Sequence, residues 1–216
     1  MSASDPVFAP WPKIPRLLRE ICVTEKIDGT NASISITRYS ATGPGMAVAI
    51  LPMADSEDHL VIRAASRTRW LHADTHDNFG WAAWVRSNAE ELTQLGEGNH
   101  FGEWWGAGIQ RGYDRPGRTF SLFNAGRWCR HNTPPQPRWG IDPRVIKLQE
   151  HAPACCSVVP VLYRGEFSMD VIDETLSMLE RDGSAAAPGF ANAEGVIVWH
   201  EAAQQYFKQT IGRDAK

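Results

Sequence analysis

CVTEKIDGTNAS, running from Cys22 to Ser33, sets a single lysine between an alternating apolar run and an Asp-Gly turn signal. Upstream, Ile21, Val23 and Ile27 interleave with polar neighbours. Downstream, Ala32, Ile34 and Ile36 alternate with Ser33, Ser35 and Thr37. Period-2 runs on both sides of Asp28-Gly29 predict a β-hairpin with a two-residue loop. In that pairing Ile27 faces Thr30 and Lys26 faces Asn31, and directly opposed residues share a sheet face. Ile27 then points into the core, while Lys26 is held beside the Asn31 amide. Gly29 is expected to supply a positive φ. Taken alone, the segment admits two readings: a surface lysine beside a turn, or a displayed nucleophile.

Outward from this segment the pattern stays mixed. The four prolines at 6, 10, 12 and 15 predict an irregular start. MAVAILPM (46–53) and LVIRAASR (60–67) read as strands. HDNFGWAAWVRSNAEELTQL (76–95) has helical spacing at Phe79, Trp84 and Leu92 and stops at Gly96 and Gly98. NHFGEWWG (99–106) and RTFSLFNAGRW (118–128) read as strands around a Gly- and Arg-rich loop. A short helix is expected from Asp142, with Pro143 next to the cap, and a longer amphipathic one over SMDVIDETLSMLERDG, ended by Gly183. EGVIVWH and QQYFKQT close the chain as strands. Without a regular βαβ rhythm, this is an α+β fold with antiparallel sheets. Residues 1–216 are expected to form a single domain.

Composition narrows the function. Hydrophobic residues make up 43% and charged residues 22%, enough for a real core. A net charge of −3 excludes a basic coat for non-specific nucleic-acid binding. Cys22, Cys129, Cys155 and Cys156 show no disulfide framework, and Cys129 with His131 lacks a second pair at zinc spacing. There is no leader-like apolar stretch and no run long enough to span a membrane, so a cytoplasmic protein is expected. Arg111, Arg115, Arg118, Arg127, Arg130 and Arg138 are interleaved with Trp104, Trp105, Tyr113 and Trp128. Such an arrangement can hold phosphates and stack unpaired bases, or can equally be a solvated loop over core aromatics.

The motifs together resemble the covalent nucleotidyltransferases, the ATP-dependent ligases above all. Lys26-Ile27-Asp28-Gly29-Thr30-Asn31 matches their K-x-D-G-x-N signature, and SRTRW, FGEWWG, SLFNAGRW, EGVIV and QYFKQT follow in family order. EKIDGTN with GEWWGAGIQRGY is most similar to the RNA ligase family, phage-encoded members in particular. The resemblance implies a nucleotidyltransferase domain whose antiparallel sheets flank an ATP cleft, with helices outside. It implies ATP with Mg²⁺ or Mn²⁺ and assigns the residues as follows. Lys26 is the nucleophile and Lys208 grips the α-phosphate. Glu25, Asp28, Gly29 and Asn31 border the nucleotide. Arg67 contacts ribose and phosphate, Glu103 holds a ribose hydroxyl, and Phe123 stacks on adenine. Glu194 lies by the metal.

Lysine suits the nucleophile because its amine can be neutral for a moment, from a pKa of about 10.4, whereas a guanidinium stays charged. Burial and a nearby cation are expected to lower that pKa. The departures are Tyr206 where the family usually has lysine, with Lys216 a candidate substitute, and Asn124 where Asp is common. No C-terminal OB-fold or helical domain is expected after Lys208. The resemblance therefore implies an RNA ligase that joins 5′-phosphate to 3′-hydroxyl ends, with an end-processing or clamp protein as partner. The rivals are an ATP-dependent DNA ligase and a degenerate, ligase-like nucleic-acid-binding protein.

Overall fold

The Asp28-Gly29 segment does not close a hairpin. In the computed structural model, which describes residues 7–40, 45–54, 56–75, 77–130 and 149–212, the strands on its two sides belong to different sheets. The chain order is β1 (Glu20–Lys26), β2 (Thr30–Tyr39), β3 (Ala49–Pro52), β4 (His59–Ser66), β5 (Trp70–Leu71), α1 (Trp81–Ser87), α2 (Ala89–Leu92) and β6 (Gly98–Gly106). Then come β7 (Arg118–Leu122), α3 (Ala125–Trp128), β8 (Cys129–Arg130), β9 (Gln149–Glu150), β10 (Cys156–Val158), β11 (Val161–Glu166), α4 (Met169–Asp182), β12 (Gly195–His200) and β13 (Gln205–Thr210). One sheet runs β11-β1-β12-β13. The other runs β10-β7-β6-β2-β4-β3, with β5 beside β4. This is the expected α+β class, antiparallel except where β10 pairs parallel with β7.

Alternation along β1 decides what each face carries, because successive side chains of a strand point to opposite sides. Ile21 and Val23 pack under α4 with Val171, Ile172 and Leu179. Cys22 points the other way, into the larger core that β2, β6 and β7 share with α1 and α2. There Ala32, Ile34 and Ile36 of β2 meet Trp104, Phe120 and Trp81. The Trp81 ring lies 4.5 Å from Phe120 and 5.3 Å from Trp104. Burial on both faces corrects the alternation read from the sequence: Ile21, Cys22 and Val23 are buried in succession.

The expected helix over 76–95 is broken. α1 is preceded by a 3₁₀ turn at Asn78–Gly80, and α2 is followed by another at Thr93–Leu95. At the break, the Asn88 amide donates to the Trp84 carbonyl at 2.8 Å. The packed face is Trp81, Val85 and Leu92, with half-buried Trp84 stacked on Trp81, and not Phe79, which is 47% exposed at φ 51°. β7 is also shorter than its sequence predicts. It stops at Leu122, and Asn124 caps α3 by accepting from the Arg127 N–H at 3.0 Å. The expected helix from Asp142, together with His131, Arg138 and Lys216, lies outside the described residues, and the end of that stretch, Gln149–Glu150, is strand β9. None of the helices among the described residues is long and apolar enough to cross a membrane.

Candidate active site

Lys26 ends β1 in register with Gly195, the first residue of β12, so the residue before β12 faces its side chain. Lys26 Nζ lies 2.5 Å from Glu194 Oε2, and both side chains are largely buried, at 22% and 16% exposure. Glu25 faces the opposite way. Its carboxylate accepts from Ser184 Oγ at 2.5 Å and from the Ala186 N–H at 2.8 Å, and burial pushes its pKa up. It braces the loop after α4 instead of bordering the cavity described next.

Past Lys26 the chain crosses between the sheets. Ile27 packs with Trp105, Tyr113 and Val159. The Asp28 N–H donates to the Tyr113 hydroxyl at 2.7 Å, and the Asp28 carboxylate accepts from Arg111 Nε at 2.9 Å. The Gly29 N–H donates to Glu103 Oε1 at 3.1 Å. Gly29 is a glycine because of space, not because of a positive φ: a Cβ there would lie 2.6 Å from the Trp104 carbonyl oxygen and 2.7 Å from Trp105 Cβ. Thr30 then opens β2 and accepts from Asn78 Nδ2 at 2.9 Å. Asn31 sits directly across from Glu103 on β6, so these two share a face.

These residues line a cavity of about 520 Å³ formed by Lys26 to Asn31, Ser66 to Arg69, Leu71, Asn78 and Glu103. Lys26 and Asn31 meet there as expected, although they come from two sheets. Arg67, exposed in the turn between β4 and β5, reaches the cavity wall. Glu194 joins it through Lys26. Phe123 packs half-buried against the cluster of Ile27, Trp105 and Tyr113, below the cavity residues rather than among them. Lys208, opposite Ile197 on β13, is exposed; it shares the sheet face of Lys26 but lies outside the cavity walls. Tyr206 lies against Trp199 with ring centroids 4.4 Å apart.

The electrostatics centre on carboxylates. Burial raises Glu103 to a pKa of about 7, against the opposing pull of Lys26 and the Gly29 N–H. Among the described residues, three or more His, Cys, Asp or Glu side chains nowhere gather as a metal cage. A Glu194 carboxylate with phosphate oxygens of a bound nucleotide is nonetheless the donor set that hard cations take.

The aromatics of the basic cluster turn inward, and Arg115 and Arg127 lie over them. Trp104, Trp105, Tyr113 and Trp128 are buried. Arg115 lies over the Trp105 ring at 4.8 Å and donates to Thr119. Arg118 donates to the Ala107 and Phe79 carbonyls, and Arg127 donates to the Leu95 carbonyl while covering Trp128. These guanidiniums rest on loop carbonyls and ring faces, with Arg118 and Arg127 still exposed. Sequence reasoning missed the site roles of Thr30, Asn78 and Tyr113. The Asn-Phe-Gly turn at 78–80 was the available signal for Asn78; Tyr113 gave none beyond its aromaticity.

Comparison with known proteins follows this geometry. No curated protein matches the chain. Among solved structures, a Naegleria gruberi RNA ligase mutant in its apo form superposes with a TM-score of 0.52 at 17% identity, covering 90% of this chain and 50% of that one. A second mutant of that ligase, with ATP and Mn, gives 0.51 at 16%, covering 91% and 51%. A third, with AMP and Mn, gives 0.51 at 16%, covering 90% and 50%. The chain thus spans about half the length of these structures, and at such identity the likeness speaks for the fold. The family is settled by sequence: the RNA ligase profile matches residues 19–211, and the chain belongs to the RNA ligase family.

Proposed function

We propose that this chain is the nucleotidyltransferase unit of an ATP-dependent RNA ligase that works through a lysyl-AMP intermediate on Lys26. One observation carries the reading. The Lys26 amine stands where two sheets meet, at the edge of a cavity, with Glu194 in contact and Glu103 on the same wall. Family membership and the ATP and AMP of the structurally similar N. gruberi ligases support it.

In the first step the Lys26 amine, having released its proton to solvent at the cavity edge, bonds to the α-phosphorus of ATP. The bond to the β-phosphate breaks and pyrophosphate leaves. Ion pairing with Glu194 holds the amine at the cavity edge until then. Glu103 accepts from a ribose hydroxyl, Arg67 meets the phosphates, and the ring of Phe123 supports the base side. Asn31 and the peptide of Gly29 complete the wall. Lys208, on the same sheet face, meets the α-phosphate once the nucleotide draws it in. Glu194 is the residue that would hold Mg²⁺ or Mn²⁺, which when bound supplies charge neutralisation on the phosphate oxygens. In the second step AMP passes from Lys26 to a 5′-phosphate end, restoring the free amine. In the third a 3′-hydroxyl attacks that end and releases AMP.

The test is the mass of the purified protein after incubation with ATP and Mg²⁺. A gain of one AMP is expected, lost in Lys26→Ala and Lys26→Arg. An adduct persisting on Lys26→Ala would overturn the assignment. Sealing of nicked RNA in preference to nicked DNA is expected, and the reverse preference would make the chain a DNA-joining member.

A further inference from the structure

The loop between β6 and β7 is held in a costly shape. Gln110, Tyr113 and Asp114 have φ of 45°, 54° and 51°, and Gly108 and Gly112 are also at positive φ. Left-handed non-glycine residues cost about 1–3 kcal/mol each and persist only where the surroundings fix them. Two side chains of this loop tie it to Asp28. Tyr113, buried edge-on against Trp105 with centroids 5.0 Å apart, accepts from the Asp28 N–H. Arg111 reaches further. Its Nε donates to Asp28 Oδ2 at 2.9 Å, while its Nη1 lies 2.9 Å from the Asn192 carbonyl, 2.7 Å from Asn192 Oδ1 and 3.1 Å from the Ala193 carbonyl. One planar guanidinium therefore ties the Asp28 carboxylate, two residues after Lys26, to the Asn192 side chain and the two carbonyls immediately before Glu194. A planar fork with several fixed donors can do this; an ammonium on a flexible stem cannot satisfy the same set in one geometry.

We propose that Arg111 is a positioning residue: it acts through Asp28 and the Asn192–Ala193 peptides to set the gap between Lys26 and Glu194, and so the approach of the amine to the α-phosphorus. The inference rests on the proposed lysyl-AMP reaction. Arg111 lines no part of the cavity and touches no reacting atom. A displacement of about 1 Å at a reacting group can cost about 100-fold in rate, even when the change lies away from the chemistry.

Single-turnover labelling of the full chain with ATP and Mg²⁺ tests it across a range of ATP concentrations. Arg111→Ala is expected to lower the rate constant at saturating ATP by about 10- to 100-fold. The ATP concentration for half-maximal rate should move less than about threefold. Arg111→Lys should fall between wild type and Arg111→Ala while keeping the wild-type melting temperature. Asp28→Asn combined with Arg111→Ala should cost less than the product of the separate effects, since both cut one connection. An unchanged rate in Arg111→Ala overturns the proposal. So does a raised ATP requirement at unchanged maximal rate, which would make Arg111 a nucleotide contact. A loss of rate that merely follows loss of thermal stability in both variants would make its role structural only. If wild type itself takes no label, the lysyl-AMP reading fails; if wild type and Arg111→Ala label equally, only the positioning role fails.

Discussion

At the scale of single residues, the site is governed by which way neighbouring side chains point. Glu25 and Lys26 are adjacent, yet one carboxylate is locked to Ser184 under the sheet and the other side chain faces the cavity. Glu103 makes a pH-dependent prediction. Its pKa stands at about 7 in the fold against 4.5 ordinarily, so the native protein holds this proton more tightly than the unfolded chain. Its contribution to stability is therefore greatest below about pH 4.5 and declines as pH rises towards 7. Glu103→Gln removes that slope. Chemical denaturation at a series of pH values should show the variant gaining on wild type between these limits, and a constant difference would refute the raised pKa. The placement of Lys26 beside Asn31 was legible from the residues around it. Arg111 was legible only as a basic residue in a loop, because its partners, the Asp28 carboxylate, the Asn192 side chain and two backbone carbonyls, all lie about eighty positions away, and nothing local marks such acceptors.

At the scale of elements, Asp28-Gly29 shows how a correct pattern leads to a wrong pairing. Two alternating runs separated by Asp-Gly signal two strands, and two strands are there; the pattern does not carry the information that they pair with other partners. β1 finds β11 and β12, and β2 finds β4 and β6. The glycine between them fits against the Trp104 carbonyl and the Trp105 side chain. Gly29→Ala should therefore cost about 1–3 kcal/mol by overpacking, read as a lower urea midpoint at unchanged slope, and should slow adduct formation as the Gly29 N–H leaves Glu103. A variant as stable as wild type would show that the passage can yield. α4 was read correctly to its Gly183 end, since its apolar stripe and terminal glycine are local signals. β7 was overread because Asn124, a helix cap, sits in an otherwise strand-like run.

At the scale of the whole molecule, the fold class and the family were both legible, the first from the absence of a βαβ rhythm and the second from six motifs in order. Charge distribution was not. The arginines after Glu103 admitted either a surface for polynucleotides or a solvated loop over core aromatics, and in the fold Arg115, Arg118 and Arg127 rest on carbonyls and rings. Arg115→Ala is expected to cost about 1–2 kcal/mol of stability through its lost contact with Trp105. Affinity for a 5′-phosphorylated RNA end should stay within about twofold of wild type in a filter-binding titration, and a tenfold loss at unchanged stability would return this residue to the RNA surface.

The chain's passage from one layer to the other beside Lys26 has a mechanical consequence. The amine is anchored to one layer through the ladder with Gly195, and its next few residues are anchored to the other through Glu103. Any slippage of one layer past the other is delivered to the Lys26 amine with no intervening lever, so the proposed adduct formation should register stress applied anywhere across that seam. A cysteine crosslink or a bulky insertion placed far from the cavity, but spanning the seam, becomes a throttle on labelling.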